Sequence, residues 1–145
     1  MKLALSINQM KHLKELGVDI SKASMWWCRI VRPACPPTKK EKVMVDWFLS
    51  LQKEHMHTGL DVVEYVPAFI LDDILDLLPK EIQEKDNHCT SHLEMIFPND
   101  NLWEVTYSRN NGSVCESFFD KKLIGAAYKM LCWVAENNYL NTNSN

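Results

Sequence analysis

Four of the five histidines fall into two groups, His55 with His57 and His88 with His92, and the second group brackets Cys89. Neutral imidazole and thiolate are ligands that zinc prefers, so a His-Cys-x-x-His stretch could supply part of a tetrahedral site. The spacing is not one of the recurrent zinc patterns, and the surrounding Glu84 to Ser91 stretch is polar. Solvated loop histidines are therefore the ordinary alternative. The same residues raise a second chemistry, a Cys/His nucleophile, because Cys89 has a histidine one residue before and another three after it. Such a thiol needs a base oriented by a third group and donors for an oxyanion, and the sequence identifies neither. A small metal-dependent or Cys/His hydrolase on His55, His57, His88, Cys89 and His92 is kept as the alternative reading.

Asp72, Asp73 and Asp76 form an acidic set in which Asp72 and Asp76 share one helix face. Carboxylates in a first helical turn complement the macrodipole, so charge facing water is a simpler account than metal or acid/base work. The four glycines stand apart at 17, 59, 112 and 125, so there is no glycine-rich loop to cradle a phosphate. Gly125 reads as a close contact between helix and sheet. No cofactor is expected.

Three adjacent aromatic pairs, Trp26-Trp27, Trp47-Phe48 and Phe118-Phe119, lie in stretches with strand character. Successive strand side chains point to opposite faces, so each pair puts one ring on each side of a sheet. Helices can cover one face. The other then needs a further layer or a second molecule. Two-sided burial, with the Gln52 to Pro67 segment as the second cover, is the plain alternative to a partner surface.

The elements that must carry these residues are legible in outline. Ser6 and Gln9 resemble a capping box, and Ile7, Met10, Leu13 and Leu16 recur at helical spacing up to Gly17. Ser24 to Arg32 and Lys42 to Leu51 read as two paired strands across a Pro33 to Glu41 connection rich in proline and lysine. Val62, Val63, Tyr65 and Val66 could add a short strand. Leu71, Ile74, Leu75 and Leu78 mark a middle helix that must end near Pro79. His92 to Phe97, Leu102 to Ser108 and Ser113 to Phe119 then read as a meander joined by Pro98-Asn99-Asp100-Asn101 and Asn110-Asn111-Gly112. Asp120 is expected to cap a last helix lined by Leu123, Ala126, Ala127, Met130, Leu131 and Val134. The order α-β-β-α-β-β-β-α predicts an α+β domain over residues 1–140, with a mainly antiparallel sheet of about five strands, three helices and a disordered tail at 141–145.

At 145 residues, 46% hydrophobic, the chain can bury one core without staples. Its net charge of −3 argues against a sequence-independent grip on nucleic acid. The charge is uneven, +3 over residues 1–70 and −6 over residues 71–145. Five cysteines, Cys28, Cys35, Cys89, Cys115 and Cys132, are an odd number without a Cys-x-x-Cys pair, which suits thiols in a reducing cytoplasm. The apolar stretch after Met1 is too brief for a secretory signal, and no run is long enough to span a membrane.

Several stretches resemble a family of small proteins from gut bacteria of the Bacteroides group. They are Gln9 to Asp19 (QMKHLKELGVD) with Ser21 to Met25, then Pro67-Ala68-Phe69 with Asp73 to Ile82 (DILDLLPKEI), and Ala126 to Asn137 (AAYKMLCWVAEN). Together they span most of the chain, and Ile70 stands where that family often has a threonine. The resemblance implies a mobile-element or prophage setting and brings no activity or catalytic residue with it. The expected function is that of a cytoplasmic, non-enzymatic accessory protein that binds another macromolecule as a homodimer, with Trp26, Trp27, Trp47 and Phe48 near the contact.

Overall fold

The computed structural model describes residues 2–33, 42–44, 46–51, 61–97 and 101–140. Among the described residues eleven elements follow one another: α1 (Ile7–Glu15), β1 (Met25–Pro33), β2 (Lys42–Met44), β3 (Phe48–Ser50), β4 (Asp61–Ala68), α2 (Leu71–Leu77), β5 (Glu81–Gln83), β6 (Thr90–Ile96), β7 (Trp103–Arg109), β8 (Val114–Asp120) and α3 (Leu123–Glu136). The class is α+β with all strand pairs antiparallel.

The expected single sheet of about five strands is instead two sheets. In the first, β4 pairs with one edge of β1, while β2 and β3 lie end to end along the other. Val31 pairs with Met44 and Cys28 with Phe48, so three steps along β1 match four along its neighbour. That extra residue breaks the expected Lys42 to Leu51 strand and leaves Trp47 outside the ladder. The second sheet has the order β5-β6-β7-β8. Its short edge strand β5 was missed because only Ile82 turns inward, between exposed Glu81 and Gln83. Hairpin partners can be read from neighbouring sequence, but whether two sets of hairpins join at an edge depends on non-local pairing, which periodicity does not encode.

Local signals place the helices. Ser6 Oγ accepts from Gln9 N at 3.2 Å while Gln9 Oε1 accepts from Ser6 N at 3.0 Å, completing the capping box, and Gly17 follows the helix at φ 85°. In front of α2, the Asp73 carboxylate accepts from Ile70 N at 2.9 Å and from both N–H and Oγ of Ser24, tying the start of that helix to the entry of β1. Asp73 is thus structural, whereas Asp72 and Asp76 are exposed. Asp120 is not the cap of α3. That position belongs to Lys122, and Asp120 Oδ1 accepts from Lys122 N at 3.0 Å in the turn before the helix.

The three helices share one core with the inner face of the second sheet, on which α3 packs directly. Met10 and Leu13 of α1, Ile74 of α2 and the buried stripe of α3 close over Ile82, Val105 and Tyr107. A smaller cluster of Ala4, Met25 and Ala68, with Trp27, Leu49 and Ile70, joins the first sheet to the N-terminal segment. A Cβ on Gly125 would sit 2.5 Å from Asp120 Cγ, and that carboxylate is held by Lys122 N and by Lys129 Nζ at 3.3 Å. Gly125→Ala gains up to about 1 kcal/mol of helix propensity but displaces a charge-assisted hydrogen bond worth about 2 kcal/mol. Thermal unfolding should therefore show a net loss of about 1 kcal/mol, and a stabilised variant would contradict this contact.

Candidate functional site

His55 and His57 lie outside the described residues, as do Cys35 and the 141–145 tail. His88 is exposed in the β5–β6 turn at φ 57°, and its N–H bonds Glu84 O. His92 points from β6 to the helix-free face, with Nδ1 3.3 Å from Glu81 Oε1 on β5. Cys89 is half-buried, with its N–H on Asn87 Oδ1. Among the described residues, no three His, Cys, Asp or Glu side chains converge to hold a metal. Cys89, Cys115 and Cys132 are free thiols, and Cys28 is buried.

The most concentrated polar chemistry lies elsewhere, at Glu84 and Arg109. Glu84 follows β5 and is 7% exposed. Its carboxylate accepts from Arg109 Nε at 2.7 Å and from a terminal guanidinium nitrogen at 2.5 Å, and Ser91 Oγ donates to it at 3.0 Å. The fork geometry of arginine suits this two-point grip. The Arg109 hydrogen bonds hold the Glu84 carboxyl down at about 2 against burial, which pushes the other way. Beside it, burial and Glu84 push the Cys115 thiol up to about 11, so it is protonated and a poor nucleophile at neutral pH. Burial likewise raises the Cys132 thiol, against an opposing hydrogen bond from Tyr128. The Glu84–Arg109 pair joins the β5–β6 turn to the end of β7, and its charges are spent on each other. It stabilises the second sheet; it does not present a reactive group.

The aromatic pairs divide as strand alternation requires, with different fates. Trp27 turns inward, where its Nε1–H donates to Leu5 O at 2.8 Å and its ring packs beside Ala4, Met25 and Ala68. Trp26 turns to the opposite face and meets Tyr65 edge-on at 6.4 Å. Phe48 pairs with Cys28 on that same face, whereas Trp47 lies under the guanidinium of Arg29 at 5.6 Å, and Arg29 shares the Trp27 face of β1. Trp26, Trp47, Phe48, Tyr65 and Arg29 are each half-buried. Arg29 Nε is a buried donor with no hydrogen-bond partner among the described residues. On the second sheet, Phe118 packs on the core and Phe119 is 46% exposed on the face away from the helices. Ile96 and Val114 stand on that face with it, interleaved with Glu94 and Glu104.

A cleft of about 430 Å³ opens at the other side of the second sheet, where the N-terminal segment meets the starts of α2 and α3. Its apolar lining includes Leu3, Leu71, Trp103 and Leu123. Lys2, Lys121 and Lys122 stand around it with one carboxylate, Asp72. Neither this cleft nor the Glu84–Arg109 pair was read from sequence, since each gathers residues far apart in the chain. The adjacent Lys121-Lys122 before an apolar helix was the one local signal.

Comparison of the chain with family models, with curated proteins and with solved structures finds no match. The functional reading rests on the geometry.

Proposed function

We propose that the protein is a non-enzymatic interaction protein that self-associates as a homodimer through the first sheet, around its β3 edge, with Trp26 and Phe48 beside Tyr65 on one face and Trp47 with Arg29 on the other. The observation that carries this reading is the gathering of tryptophan, tyrosine and arginine, each half-buried, on the two faces of one small sheet. Those residue types dominate binding energy at protein interfaces. Trp27, turned inward, supports the sheet from behind and takes no direct part.

The open face of the second sheet favours a different occupant. Two copies meeting there would set Glu94 and Glu104 against their own symmetry mates, a like-charge opposition that disfavours self-pairing. That face suits a basic partner with apolar side chains to match Ile96, Val114 and Phe119.

Two substitutions separate these surfaces. Trp47→Glu should convert the dimer to a folded monomer in light scattering, raising the dissociation constant at least about tenfold. Phe119→Glu should leave the dimer intact. The reverse pattern would move self-association to the second sheet, and unfolding by Trp47→Glu would place Trp47 in the core.

A further inference from the structure

We propose that the cleft between the N-terminal segment and the starts of α2 and α3 is a binding site for a small anionic amphipath, a carboxylate carrying an apolar body. Its volume, about 430 Å³, falls in the range of small-molecule sites, and the chemistry of its wall is divided as such a ligand requires. Leu3, Leu71, Trp103 and Leu123 supply an apolar wall. Leu3 is 57% exposed, and Phe97, tilted against Trp103 with ring centroids 4.9 Å apart, is 55% exposed, so apolar surface continues outward from the mouth.

The polar end of the cleft is cationic. Lys121 and Lys122 are exposed and have no carboxylate partner among the described residues, whereas Asp120 is already engaged by Lys129 Nζ and Lys122 N. Lys2 donates to Gln9 Oε1 and is held below the usual lysine value, first by burial and further by Lys122, with Asp120 opposing. An arriving carboxylate would relieve the mutual repulsion of Lys2 and Lys122. The 14-residue α3 starts at this point with no side-chain cap and no acidic residue in its first turn, and the Asp120 carboxylate lying against Gly125 answers part of the positive end of its dipole. An uncharged ligand would fill the wall and ignore the lysines; an inorganic anion would do the reverse. The amphipath uses both.

The test is an amide-resolved NMR titration of the full chain with decanoate below its micelle concentration, with decanol and acetate as the uncharged and tailless controls. Decanoate should bind saturably, shifting Leu3, Leu71, Trp103 and Leu123, with decanol and acetate each at least about tenfold weaker. In the double variant Lys121→Gln/Lys122→Gln, whose replaced side chains are exposed, decanoate should weaken about tenfold while decanol is unchanged. The proposal is overturned by an absence of saturable decanoate binding, by equal affinity for decanol, by a double variant that binds as tightly as the parent, or by shifts centred on Ile96 and Phe119.

Discussion

Replacing Tyr107 by alanine is expected to cost about 3–5 kcal/mol, a third or more of the stability of an ordinary domain, and to lower the melting temperature by about 10 °C. Tyr107 is fully buried at the centre of β7, facing the helices. Its ring lies 6.2 Å from that of Trp133 on α3, and its hydroxyl donates to Pro79 O at 2.7 Å. That one side chain therefore fixes the sheet to α3 and to the turn that follows α2. Burial raises the phenol well above its ordinary value, so it stays a donor throughout the stable pH range. Tyr107→Phe keeps the packing and leaves the Pro79 carbonyl without its donor, a loss of about 1–2 kcal/mol. Chemical denaturation of the two variants separates packing from hydrogen bonding. Equal losses in both would mean that the hydroxyl, not the ring, carries the residue's contribution.

The Glu84–Arg109 pair should govern acid stability. Its carboxyl titrates near 2 in the folded chain, below the ordinary 4.5, so the folded state binds its proton less readily than the unfolded state. The stabilisation is therefore fully present above pH 4.5 and is lost as pH falls toward 2. Glu84→Gln should unfold earlier in urea at pH 7, by at least as much as Tyr107→Phe, and show a flatter decline across that acid window. Glu84→Ala should be worse than Glu84→Gln, because it leaves the partly buried guanidinium with no opposite charge and only Ser113 Oγ as an acceptor. Parallel acid profiles for parent and Glu84→Gln would show that other carboxylates control the transition.

How far the sequence could be read follows from the range of each interaction. The Ser6–Gln9 box, the stop at Gly17, the helix end near Pro79 and the β6–β7–β8 meander are local, and their residues announce them. The two-faced reading of Phe118-Phe119 holds because strand alternation is a local rule: one ring is in the core and the other exposed. Trp26 and Trp27 obey the same rule, yet alternation could not tell which ring would find the Leu5 carbonyl. The division into two sheets, the pairing of Glu84 with Arg109 across 25 positions, and the lysine cleft all depend on non-local docking. Histidine and cysteine drew attention by type, and the β5–β6 hairpin then sends Glu84 and Ser91 inward and His92 outward, so His92 turns away from the polar centre. Residue type announces candidate chemistry. Register decides which side chains meet.

Native mass spectrometry of the untagged protein at low micromolar concentration tests self-association most directly, because one spectrum reports both subunit number and any retained ligand. A dimer without metal, reduced to monomer by Trp47→Glu, is the expected result. A monomer at every concentration examined would contradict it and leave Trp26, Trp47 and Phe48 as part of the protein's own core.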